Sequence, residues 1–82
     1  MSWKLYVVKC NDHSLYTGIT TDIERRLFEH NYTKKGARYT KSRRPVVLVF
    51  QEDCDNKSDA SKKESKFKKL SRNEKLQQIH RD

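Results

Sequence analysis

"LYVVKCNDHSLYTGITTDIERRLFEHN", residues 5 to 31, decides the fold. "WKLYVVKC" is β-branched and aromatic, "NDHS" carries turn chemistry and "LYTGIT" is a second short strand, so residues 3 to 20 predict a β-hairpin. With the turn centred on Asp12, paired residue numbers sum to about 24, which sets Tyr6 opposite Gly18 and Tyr16 diagonally adjacent on the same face. Gly18 weakens a strand interior unless something must approach the backbone closely, and here it opens space beside Tyr6. In "TDIE", Thr21 and Glu24 stand three apart before an apolar-periodic stretch, a capping-box pattern that starts a helix running to about Asn31. Ile23 and Leu27 make its buried side, and Arg26 and His30, four apart, lie along the flank of that stripe, where the polar face of the hairpin can meet them.

Outward from this unit, "YTKKGARYTKSRRP" is polar, basic and broken by Gly36 and Pro45. It predicts an exposed loop that offers Lys34, Lys35, Arg38, Lys41, Arg43 and Arg44 to phosphates. "VVLVFQE" is a continuous apolar run of strand length, the pattern of a central strand buried on both faces. From Ser58 the period turns helical, with Ala60, Phe67 and Leu70 on one side, and Ser71 with Glu74 forms a second capping box before a helix with Leu76 and Ile79 on its thin apolar side. The order is β-β-α-β-α-α: an α+β chain with helices packed on a three-stranded antiparallel or mixed sheet, expected to form one domain over residues 1–82.

At 82 residues, with 33% hydrophobic and 37% charged side chains, the core is modest, yet three Phe, four Tyr and one Trp keep the chain out of the disordered class. Nineteen Lys and Arg against eleven Asp and Glu leave a net charge of +8, which attracts polyanions, nucleic acid first among them. The N-terminus holds no apolar run of signal-peptide or membrane-span length, and Cys10 and Cys54 show no CxxC spacing or disulfide framework. The expectation is a reduced, cytoplasmic chain with no membrane partner, and Cys10 reads as a small core residue.

Zinc is disfavoured, because His and Cys at 10, 13, 30, 54 and 80 include no ligand pair at suitable spacing, and no phosphate-binding glycine loop or nucleophile elbow is present. Glu64, four after Ala60 and three before Phe67, interrupts an apolar helical stripe. A carboxylate there needs a partner, either a neighbouring Lys or Arg or a hard divalent cation such as Mg²⁺. Tyr6, Tyr16, Arg26, His30 and Glu64 together form a set suited to hydrolysing a phosphodiester with one metal ion.

In its ordered motifs the chain resembles the GIY-YIG nuclease family, which includes a catalytic domain of the bacterial excision-repair endonuclease, several homing endonucleases and some restriction enzymes. "KLY" at 4 to 6 stands at the GIY position and "YTG" at 16 to 18 at the YIG position, and Arg26, His30 and Glu64 fall where the family keeps its arginine, its His or Tyr, and its metal-binding glutamate. "SLYTGIT", "GARYT" and "RRPV" are similar in style to small stand-alone bacterial members. The resemblance implies a metal-dependent endonuclease, with Mg²⁺ or Mn²⁺ on Glu64, Arg26 clamping a phosphate oxygen, Tyr6 or Tyr16 as general base and His30 assisting the proton relay. It also implies a DNA substrate ahead of RNA and a setting in DNA repair. Gly18 is expected at the nucleic-acid contact together with the basic loop, and the alternative is a nucleic-acid-binding module that keeps the fold and the basic loop and lacks the chemistry.

Overall fold

The chain is described by a computed structural model over residues 2–81. Strands β1 (Trp3–Lys9) and β2 (Leu15–Thr20) form the hairpin, followed by helices α1 (Ile23–Tyr32) and α2 (Arg38–Lys41), strand β3 (Val47–Cys54), and helices α3 (Lys57–Lys68) and α4 (Arg72–Ile79). The sheet is antiparallel throughout in the order β2-β1-β3. The α+β class and the element order agree with the sequence reading, with α2 added inside the basic segment. In the hairpin Tyr6 lies opposite Gly18 and Val8 opposite Tyr16, as the turn residues dictate. His13 takes the left-handed conformation (φ 69°) that closes the turn, and Asp12 accepts hydrogen bonds from the Ser14 N–H and hydroxyl.

The central strand is β1, and β3 is an edge strand, contrary to the expectation from its apolar run. β1 is used on both sides because it pairs with the hairpin on one edge and β3 on the other, and four consecutive residues, Leu5 to Val8, are buried. The β3 run is apolar for a different reason. The pairing with β1 shifts between Val7 and Val8, where Phe50 faces Val7 and Leu48 faces Val8, leaving Val49 as an extra bulged residue. Val46 precedes the strand and is buried in a separate cluster, while Val47 is 53% exposed.

Alternation along β1 divides the core between the two faces. Leu5 and Val7 join Cys54, Ala60 and Phe67 beneath α3, with Phe50 stacked on Phe67 and Leu70 and Ile79 closing the margin. On the opposite face Val8, Cys10 and Val46 pack with Tyr16 and Leu27, so Cys10 is a core residue as read.

Each helix start has a local cause. The cap of α1 is Asp22, whose carboxylate accepts from the Arg25 N–H at 3.0 Å, rather than the expected pair of Thr21 and Glu24. The Thr20 hydroxyl accepts from the Asp22 N–H, which shifts the entry by one residue and lets the stronger carboxylate acceptor cap the helix. Asn56 caps α3, and the reciprocal Ser71–Glu74 box opens α4 as expected. Among the described residues no helix is long and apolar enough to cross a membrane.

Candidate active site

The site grows from Tyr6, whose side chain leaves the central strand on the face covered by α1 and is 2% exposed. Gly18 makes this possible: a Cβ there would stand 2.6 Å from the Tyr6 hydroxyl and 2.7 Å from its Cζ. The space opened by Gly18 is thus filled by Tyr6 itself. The Tyr6 Oη lies 2.7 Å from His30 Nε2. His30 is fully buried, so it belongs to the interior side of α1 rather than its flank.

The far edge of the imidazole is held from α2. Thr40, also fully buried, brings its Oγ1 to 2.9 Å from His30 Nδ1, and the Ala37 N–H donates to the same nitrogen at 3.3 Å. Burial, seconded by the positive charge of Arg26, pushes the His30 pKa down to about 4, so the ring is neutral at pH 7. Burial likewise pushes Tyr6 up to about 12; Arg26 opposes that shift, while Tyr16 and Glu64 add to it.

Arg26 is half-buried, with its Nη1 donating to Glu29 Oε1 at 2.9 Å and to the Lys35 carbonyl at 2.8 Å. These two acceptors fix the plane of the guanidinium beside Tyr6 while it keeps further N–H groups for a ligand. Tyr16 meets His30 edge-on at 5.4 Å and stacks on Tyr39 at 5.9 Å. The Arg43 guanidinium covers the Tyr39 ring at 3.9 Å, while its Nε donates to Asp12 at 3.0 Å and its Nη1 to the Tyr39 carbonyl. The hairpin turn and α2 are thereby tied together, and Tyr16 packs between Tyr39 and His30.

Glu64 comes from α3, with its side chain 24% exposed and paired to Lys68 at 3.4 Å. Both readings of its place on the stripe meet here: it has a lysine partner, and it lies near enough to Tyr6 for its charge to act on the phenol. Among the described residues no group of three or more His, Cys, Asp or Glu is gathered to enclose a metal ion. One carboxylate suits a hard cation that completes its shell with substrate phosphate and water, and Glu64 fits that kind of site.

The structure therefore brings Tyr6, Tyr16, Arg26, His30 and Glu64 to one region. The basic segment divides. Lys34, Lys35, Arg38 and Lys41 have no side-chain partner among the described residues. Arg43 serves the Asp12–Tyr39 clamp, and Arg44 donates to the carbonyls of His30, Thr33 and Glu29 at the end of α1. Sequence reasoning places Tyr39 only among the aromatics of the basic loop and gives Ala37 and Thr40 no role; the triplet "RYT" inside a Gly-containing basic run, an aromatic and a hydroxyl group beside a cation, was the available signal.

Comparison with known proteins points the same way. The GIY-YIG catalytic domain family matches residues 2–77. A UPF0213 protein of Desulfotalea psychrophila (strain LSv54 / DSM 12343) is 59% identical over 85% of this chain; the chain spans 64% of that relative's length. A UPF0213 protein of Staphylococcus haemolyticus (strain JCSC1435) is 55% identical over 92% of this chain and 90% of its own. The solution structure of a UPF0213 protein from Bacillus halodurans is similar with a TM-score of 0.59 and 42% identity, covering 94% of this chain and 81% of that one. A solution structure from E. faecalis gives a TM-score of 0.60 at 37% identity over 93% of this chain and 81% of that one. With the family match running over nearly its whole length, from the paired-strand tyrosines past the late glutamate, the chain belongs to the GIY-YIG catalytic domain family, a nuclease family, and within it is similar to small bacterial UPF0213 proteins.

Proposed function

We propose that this chain hydrolyses phosphodiester bonds in DNA with the help of one divalent metal ion, Mg²⁺ or Mn²⁺. The observation that carries the reading is that the buried Tyr6 hydroxyl, 2.7 Å from His30 Nε2, lies within charge range of Arg26, Tyr16 and Glu64, the four residues coming from three other elements. A structural tyrosine needs one hydrogen-bond partner; this one also feels a fixed cation, a carboxylate and a second phenol.

Glu64 would hold the metal ion, which supplies Lewis-acid stabilisation of charge developing on the phosphate. Arg26, already oriented by Glu29 and Lys35, would donate to a non-bridging phosphate oxygen, where a planar fork is worth more than a point charge. Tyr6 or Tyr16, after giving its own phenolic proton to solvent with Arg26 and the metal favouring the phenolate, would take the proton of the attacking water, with His30 assisting by holding the phenol oxygen. Lys34, Lys35, Arg38 and Lys41 would lead the backbone to the site. A role in DNA repair and a cytoplasmic location accompany this proposal.

One observation favours a second reading. With its pKa pushed up to about 12, Tyr6 is a protonated phenol at neutral pH, as suits a domain that grips nucleic acid without cutting it. Incubating the protein with branched, single-stranded and duplex DNA, with and without Mn²⁺, separates the two. Divalent-dependent cutting is expected, and salt-sensitive binding without any cutting establishes the second reading instead. In single turnover at saturating protein, Arg26→Ala should lower the rate by roughly 10²-fold or more while binding changes little, because a transition-state contact is lost. Glu64→Gln should abolish cutting yet leave the melting temperature nearly unchanged, since an i,i+4 helix pair with an exposed lysine contributes only about 0.3–0.5 kcal/mol.

A further inference from the structure

His30 has two ring nitrogens and, being neutral, one proton. Which nitrogen carries it decides whether the ring gives a hydrogen bond to Tyr6 or takes the phenolic proton. The surroundings of Nδ1 settle the matter through a group that cannot rotate. The Ala37 backbone N–H points at Nδ1 from 3.3 Å and can only donate. The Thr40 hydroxyl, 2.9 Å from Nδ1 and also 2.9 Å from the Ala37 carbonyl, can turn its hydrogen to either. That carbonyl already accepts from the N–H groups of Thr40 and Lys41, at 3.1 Å each, and has no need of the hydroxyl. The alternative network, with a proton on Nδ1 donated to Thr40, would set two N–H hydrogens against each other across 3.3 Å and strand a backbone donor.

From this arrangement we infer that Thr40, with the Ala37 N–H, is a positioning residue that keeps the proton of His30 on Nε2, so that His30 donates to the Tyr6 oxygen rather than accepting from it. The consequence for Tyr6 is directional. Its oxygen receives the Nε2–H at 2.7 Å, so its own hydrogen points away from His30, and any negative charge on the phenol oxygen meets a donor already in place. Thr40 touches neither substrate nor reacting atom; it acts through the imidazole. The tautomer rests on this geometry alone, and its catalytic consequence rests on the nuclease reading.

The test uses the full chain labelled with ¹⁵N in histidine. Two-bond ¹H–¹⁵N spectra at pH 7 should show His30 with a protonated Nε2 and an unprotonated Nδ1 in the unaltered protein and in Thr40→Ser. In Thr40→Val the Ala37 N–H still faces Nδ1 and keeps the proton on Nε2, but Nδ1 loses its short donor, so its nitrogen resonance should move further downfield, toward that of an unbonded imidazole nitrogen. Single-turnover DNA cutting should fall by roughly 10²-fold in Thr40→Val, at the low end of what misplaced proton-handling groups cost, and be recovered in Thr40→Ser. A protonated Nδ1 in the unaltered protein overturns the inference. So does a folded Thr40→Val protein whose His30 shifts and cutting rate match the unaltered chain. A chain that shows the Nε2–H signature, with the Thr40→Val change, but cuts no DNA supports the tautomer assignment while refuting the nuclease reading.

Discussion

A methyl group on Gly18 would overlap the Tyr6 hydroxyl, and the neighbours of that ring cannot yield, because His30 and Thr40 are fully buried behind it. Gly18→Ala should therefore lower stability by about 1–3 kcal/mol, the usual cost of overpacking, and cutting should fall with it. A melt and a cleavage assay on the same sample check this. His30 supplies a second expectation, on pH. The folded protein protonates this ring only near pH 4, against 6.5 for a free imidazole. Between those values the unfolded chain binds more protons, so stability is complete above the upper value and declines as pH falls through the window, by about 3 kcal/mol in all. Urea unfolding at pH 7, 5.5 and 4.5 measures the slope, and His30→Gln should flatten it. Tyr6, Gly18 and Tyr16 were legible from sequence because a short turn fixes the register of every pair behind it. Thr40 and Tyr39 were not, because nothing in a polar, basic segment marks which hydroxyl will be buried.

At the level of elements, α1 depends on a residue far along the chain. The end of α1 leaves the carbonyls of His30 and Thr33 beyond its own N–H groups, and the Arg44 guanidinium takes both, with a longer bond to the Glu29 carbonyl that the Thr33 N–H already reaches. Arg44→Ala should lower stability by about 1–3 kcal/mol, because partly buried acceptors lose a charged donor, with little direct loss of DNA affinity. Thermal unfolding and a binding titration on the same variant test both halves. The sequence showed Arg44 only as one cation in a run of them; a guanidinium spent on a helix end reads the same as one facing a phosphate. β3 was misplaced for a related reason. Hydrophobicity along Val46–Phe50 counts apolar side chains without telling a two-sided central strand from an edge strand carrying a bulge and a buried flanking valine. Capping chemistry was more legible where both partners are local, as in Ser71 and Glu74, than at α1, where Asp22 and Thr21 compete one residue apart.

Over the whole molecule, the charge of +8 divides into residues with internal duties and residues without them. Replacing Lys34, Lys35, Arg38 and Lys41 together by Gln should weaken DNA binding and reduce the slope of log affinity against log salt by about 3 to 4, close to one released counterion for each contact. An unchanged slope would move the nucleic-acid surface elsewhere. The same division runs through the site. Tyr6, Tyr16, Arg26, His30 and Thr40 are tied to one another by the first half of the chain, whereas Glu64 arrives alone on α3, paired among the described residues with the exposed Lys68. Under the proposed chemistry, the capacity to cut hangs on a side chain that the fold scarcely uses. On that reading, one exchange at that position would turn a cutter into a clamp, with the grip, the shape and nearly the melting point of the original.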